Sequence, residues 1–162
     1  MNDDIRSRLD ALSLALEPQP VPKHRYLPIR RDGDVIYLSG KTAMTAGAVA
    51  VTGRLETDAD VERGRRAARI CALNLLATIE QEVGLENVSS VLKLTGFVAS
   101  GPRFYQQPQV INAASEVLRD VLGEAGDHAR SAIGVAALPG DSSVEIELIA
   151  RVRGGGGDRG PA

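Results

Sequence analysis

The feature of this sequence best suited to holding an anion is a guanidinium at the head of a strand of small side chains. In Arg130-Ser131-Ala132-Ile133-Gly134-Val135-Ala136-Ala137-Leu138, strand alternation puts Arg130, Ala132, Gly134 and Ala136 on one face and Ile133 and Val135 on the other. A planar fork of donors beside an open, small-residue surface suits bidentate capture of a carboxylate. An ordinary exposed arginine at a strand edge has the same spacing. Fifteen residues on, Glu145 and Glu147 alternate with apolar residues and so share one strand face. A carboxylate near such a clamp can orient water and move protons, although a solvated glutamate pair would give the same pattern.

Other reactive side chains offer less. Cys71 lies among Ala and Leu at helical spacing, as a buried small side chain would. His24 and His128 have no metal-ligand spacing and no paired cysteines, so no metal is expected; His128 does stand two residues before Arg130. Residues 154–157 are four glycines, but no helix and no Lys-Ser/Thr follows them as a phosphate loop would require, and they read as a flexible tail.

Composition narrows the classes. A chain of 162 residues that is 43% apolar can bury one core without disulfide or metal, and with 3% aromatics that core must be built from Val, Ile, Leu and Ala. A formal net charge of -2 leaves no basic footprint for nucleic acid, and the few aromatics offer little for stacking bases. No apolar run is long enough to cross a bilayer, and the start, with Asp3 and Asp4, lacks the basic opening of a signal peptide, so a cytoplasmic protein is expected.

The elements that must position these residues follow from periodicity. Ile5, Leu9, Leu12 and Leu16 form the stripe of an amphipathic helix over residues 3–16. The prolines at 18, 20 and 22 then force an extended linker, so residues 1–25 are read as helix plus linker, 26–153 as the main domain and 154–162 as the tail. Strands over 26–30 and 34–39 flank an Asp32-Gly33 hairpin signal. Residues 42–54 read as a loop with short strand fragments. Residues 58–83 form a long helix whose Ala68, Cys71, Ala72, Leu75, Leu76 and Ile79 face a sheet. In the strand over 88–100, Val91, Lys93, Thr95 and Phe97 share one face, with Leu92, Leu94 and Val98 on the other. A second helix spans 104–123, with Pro108 a candidate first residue, and strands over 130–138 and 143–152 complete a ββ-α-β-α-ββ order. Two long helices on one face of a mixed sheet leave the other face to be covered by further subunits.

Four ordered motifs resemble the YjgF/RidA family. They are Asp34-Val35-Ile36-Tyr37-Leu38-Ser39-Gly40, Val91-Leu92-Lys93-Leu94-Thr95-Gly96-Phe97-Val98, the run from Arg130-Ser131 to Leu138-Pro139, and the glutamate-bearing strand Val144-Glu145-Ile146-Glu147-Leu148-Ile149-Ala150. The extra N-terminal helix resembles a long-chain subgroup of that family. The resemblance implies a chorismate-mutase-like α/β fold, a mixed sheet with two long helices on one face, and a homotrimer with clefts between subunits. It implies hydrolysis of enamine/imine intermediates of the 2-aminoacrylate type to keto acid and ammonia, with no cofactor. Residue by residue, Arg130 matches the arginine that holds the substrate carboxylate and Glu145 the glutamate that holds the attacking water. Tyr26 and Ser39 match residues lining the cleft, Gly40 completes the Ser-Gly of the first motif, and Asn112 falls at the family's helix position; the resemblance implies a catalytic role for Tyr26 with Glu145 and substrate binding by Ser39, Gly40 and Asn112 with Arg130. The chain departs from the family at Arg25-Tyr26-Leu27-Pro28-Ile29 and at Lys41, where glutamine is common. The alternatives are a non-catalytic trimeric module that binds small carboxylate metabolites and, more distantly, a ribonuclease.

Overall fold

Asp60 opens the first long helix. Its carboxylate accepts the backbone N–H groups of Glu56 and Thr57 and binds Arg63, and these bonds, the Arg63 one foremost, hold it at a pKa of about 2. The helix that follows, α2 (Val61–Glu82), buries Ala68, Cys71, Ala72, Leu75, Leu76 and Ile79, the face read from the sequence. Cys71 is fully buried and its thiol donates to Val144 O; burial pushes its pKa well above the ordinary thiol range, which removes it as a nucleophile. The computed structural model describes residues 3–20 and 25–154. His24, Val21, Pro22 and the tail beyond Gly154 lie outside the described residues.

The sheet has five strands in the order β1-β2-β7-β5-β6, where β1 is Ile29–Asp32, β2 Val35–Thr42, β5 Val88–Ala99, β6 Ala129–Val135 and β7 Val144–Val152. Only β5 and β6 are parallel. β1 and β2 meet through Gly33, whose φ of +58° suits the two-residue turn. A small hairpin, β3 (Met44–Thr45) and β4 (Ala48–Val49), accounts for the strand fragments between β2 and α2. The helix α3 (Gln107–Leu122) carries Pro108 in its first turn and stops at Gly123, φ +65°. Helices α2 and α3 pack on each other and on one sheet face. On the other face Tyr37 and Ile133 stay about half exposed. The expected mixed sheet with two long helices on one face is what the chain forms.

Two local expectations need correction. The opening helix, α1 (Asp3–Ala11), ends five residues before Leu16, because Ser13 turns into the left-handed region at φ +53° and Leu14 N bonds back to Leu9 O. Leu14 and Leu16 still pack on the core, while Leu12, read as part of the stripe, is exposed. Val91 does not share a face with Lys93: an irregularity in the β5–β7 pairing between them turns Val91 inward with Leu94 and Val98. The small residues of β6 stay partly open: Gly134 is exposed and Ala132 half-buried, and a Cβ on Gly134 would meet only the end of the Gln107 side chain and Ser100 Oγ, each at 2.8 Å.

Gly96 on β5 is buried beneath α3, and a Cβ there would meet Ile111 Cδ1 at 2.5 Å and Cγ1 at 2.6 Å. Ile111 is fully buried and has no free space to yield. Gly96→Ala is therefore expected to destabilise the fold by roughly 1–3 kcal/mol through overpacking, read as a lower midpoint in urea denaturation. An unchanged midpoint would show that α3 can lift from the sheet at little cost.

Candidate functional site

Arg130 turns toward α3. Its Nη1 donates to Asn112 Oδ1 at 2.8 Å and to Ser115 Oγ at 3.1 Å, two acceptors three residues apart on one helix face. Ser115 Oγ lies 3.0 Å from His128 Nε2, and His128 Nδ1 lies 2.6 Å from Gly126 O. A carbonyl can only accept, so Nδ1 carries the hydrogen; in the neutral ring Nε2 then accepts from the serine hydroxyl. This chain of bonds fixes one end of the guanidinium. Nε and Nη2 have no hydrogen-bond partner among the described residues, and together they form the side-on fork that matches a carboxylate. An open groove beside Ser115, Arg119, Asp127 and His128 leads to them.

The other candidates gather at the far edge of the sheet. Pairing of β1 with β2 stops at Leu38, and residues 25–28 continue beside Ser39: its backbone N donates to Pro28 O at 3.0 Å and its Oγ to Leu27 O at 2.7 Å. Tyr26 stands exposed next to this contact. Between residues 17–20, the β3–β4 hairpin and the unpaired edge of β2 lies a cleft of about 350 Å³, lined by Tyr26, Ser39, Gly40, Lys41 and Asn74 among others. One wall is held by Gln19, whose backbone N donates to Gln81 Oε1 at 2.7 Å and whose side chain donates to Asn74 Oδ1 at 3.1 Å. Asn74 in turn donates to Thr42 O and Met44 O.

A bulge between Leu38 and Lys41 decides which way these side chains point. Gly40 faces Glu145, and any side chain at position 40 would collide with Glu145 Oε1. Lys41 pairs with inward-facing Ile146, on the side of α2, and burial pushes its ammonium below the ordinary lysine range, partly offset by Glu82. Glu145 alternates with the buried Val144 and Ile146, so its half-buried side chain stands on the open face of the sheet. Burial, with the charge of Glu147 second, pushes its pKa above the usual carboxylate value.

The chain thus brings Tyr26, Ser39 and Gly40 together with Glu145 beside them, and Arg130 together with Asn112. It does not bring the two groups to each other: strands β7 and β5 stand between β2 and β6, a separation of about 14 Å at ordinary strand spacing. Sequence reading missed the Gln19–Asn74 wall, for which polar residues at a linker and mid-helix give no signal. It also missed Ser115, although the spacing of three from Asn112 was a readable sign of a shared helix face.

Because the folded-state pKa of Glu145 is raised, its contribution to stability is present below its ordinary value of 4.5 and is lost as pH rises through the folded-state value. Glu145→Gln, which cannot ionise, is expected to melt at a higher temperature than the parent at pH 7, with the gain vanishing toward pH 4. Thermal melts at the two pH values measure this; equal melting at pH 7 would mean that the carboxylate is not penalised.

The family model described as Endoribonuclease L-PSP matches residues 17–152. Protein TCP17 of Trypanosoma cruzi is 34% identical over 147 residues, covering 90% of this chain and 92% of that one. The crystal structure of Atu1372 from Agrobacterium tumefaciens, a protein of unknown function, superposes with a TM-score of 0.83 at 42% identity, covering 93% of this chain and 92% of that one. The YjgF gene product of Escherichia coli superposes with a TM-score of 0.59 at 27% identity, over 83% of this chain and 93% of that one. With the family match spanning most of its length and the ordered strand motifs in place, the chain belongs to the Endoribonuclease L-PSP, or YjgF/RidA, family.

Proposed function

We propose that this protein hydrolyses enamine/imine intermediates of the 2-aminoacrylate type in clefts formed between copies of the chain, in a homotrimer. The observation that carries the reading is the pair of half-sites on opposite sheet edges: Arg130, held at one end with its Nε–Nη2 fork open, and the cleft of Tyr26, Ser39 and Gly40 with Glu145 alongside. Arg130 of one copy set against the cleft of the next supplies both, and the uncovered sheet face bearing Tyr37 and Ile133 supplies apolar surface for the assembly.

The reaction uses the cation first. Arg130 binds the substrate carboxylate and orients the neighbouring C=N carbon. Water adds to that carbon while Glu145 takes one of its protons and passes it to the nitrogen, giving a carbinolamine; the hydroxyl proton then follows through Glu145 to the nitrogen as C=O forms and the C–N bond breaks, and keto acid and ammonia leave. A carboxyl with a raised pKa suits both halves of this transfer better than an ordinary surface glutamate. Tyr26 contributes a hydroxyl at the cleft mouth.

A second reading, a module that binds carboxylates without turning them over, draws on one observation: the Ser39 hydroxyl already donates to Leu27 O, and its hydrogen is not free for substrate. Ribonuclease activity, the sense of the family's description, has least support, given a net charge of -2 and five aromatic residues.

The test is the hydrolysis of 2-aminoacrylate generated in situ by a serine or threonine dehydratase. The parent protein is expected to accelerate keto-acid release. Arg130→Ala should lose roughly 10- to 100-fold through the missing charged hydrogen bonds, and Glu145→Gln about 10²- to 10⁴-fold through the missing proton carrier. Sedimentation must show all three to be trimers. Trimeric parent protein with no acceleration, yet with carboxylate binding that Arg130→Ala abolishes, would favour the binding module instead.

A further inference from the structure

Lys41 is a cation with nothing to neutralise it at close range. It is half-buried in the wall of the β2-edge cleft and has no ion pair or hydrogen-bond partner among the described residues. Glu82, on α2, acts on it only from beyond salt-bridge distance. A buried charge without a partner is costly, and an anionic group brought to it by a ligand would offset that cost.

The remaining lining sharpens the point. The side-chain amide of Gln19 is spent on Glu17 O and Asn74 Oδ1, and that of Asn74 on Thr42 O and Met44 O. The Ser39 hydroxyl is spent on Leu27 O. Of the residues lining the cleft, Glu17 and Lys41 alone are charged, and Glu17 is exposed at the rim, where solvent and salt screen it. Lys41 is therefore the one cationic donor the cleft offers. The volume of about 350 Å³ lies within the range of small-molecule pockets and exceeds what a three-carbon enamino acid fills.

We propose that Lys41 binds a second anionic group on the substrate, so that the site takes dicarboxylates in preference to monocarboxylates of the same length. This rests on the reading that the cleft is the substrate site and that Arg130 holds the first carboxylate. Tyr26 and the Gln19 wall then bound the intervening chain. The depressed pKa of Lys41 is consistent with this, since a carboxylate beside it would favour the ammonium that burial disfavours.

The test compares two five-carbon keto acids that differ only at the far end, 2-oxoglutarate and 2-oxopentanoate, by calorimetric titration of the trimer. The parent protein is expected to bind 2-oxoglutarate at least tenfold more tightly. Lys41→Gln should bring the ratio to about one, chiefly by weakening 2-oxoglutarate, while Lys41→Arg should keep the preference; thermal melts establish that both variants fold. Binding of 2-oxopentanoate that is lost in Arg130→Ala, with a ratio near one in the parent or a ratio untouched by Lys41→Gln, would overturn the Lys41 assignment and leave the carboxylate site standing. Failure of the parent to bind either acid would overturn both.

Discussion

The close approach of α3 to β5, which Gly96 permits, sets most of what the rest of the molecule can do. A side chain at Gly96 would push the helix outward against the buried Ile111. With the helix seated, Ile111 fills the core and Asn112, the next residue, is brought to hydrogen-bonding distance of Arg130. Ser115 follows one turn later and hands the constraint on to His128 and the carbonyl of Gly126. A glycine on β5 thus seats the helix, and the order of Arg130 on the neighbouring strand derives from it.

The same packing accounts for the asymmetry of the sheet. Helices α2 and α3 take one face, and α1 adds to that side: it packs on α3, with Arg8 donating to Val121 O at 3.3 Å. No described element covers the other face, where Lys93 donates to Ser131 Oγ at 2.8 Å and Glu145, Glu147 and Phe97 stand nearby. Polar and apolar residues are mixed there as on an interface and not as in a core.

Much of this was legible beforehand, because long periodic segments report on themselves. The faces of α2 and α3, the Asp-Gly turn and the alternation of β7 all follow from residue order. What residue order conceals is any break in phase. The irregularity near Val91 and the left-handed turn at Ser13 each add or remove a fraction of a repeat, and neither leaves a compositional mark. The candidate site was legible as a set of residues but not as a geometry. Nothing in the spacing of Arg130 and Glu145 says that three strand steps separate β2 from β6, since that depends on β7 inserting between β2 and β5.

The bulge at Ser39 and Gly40 has a consequence for how such a cleft can change over evolutionary time. Side chains on a strand alternate, so the extra residue alone keeps Lys41 on the helical side while Glu145, across from Gly40, looks the other way. If the same residues paired without a bulge, the ammonium would pass through the sheet to the opposite surface and Gly40 would stand against Ile146; deleting the extra residue outright would leave Lys41 two places after Leu38, still on the helical side. Point substitutions can only exchange one head group for another at a fixed address. Whether the extra residue is taken up as a bulge or by plain alternation is the coarse switch on the charge the cleft displays, and relatives whose strand pairs here without a bulge at the same length are the ones in which its preference for ligands should have moved furthest.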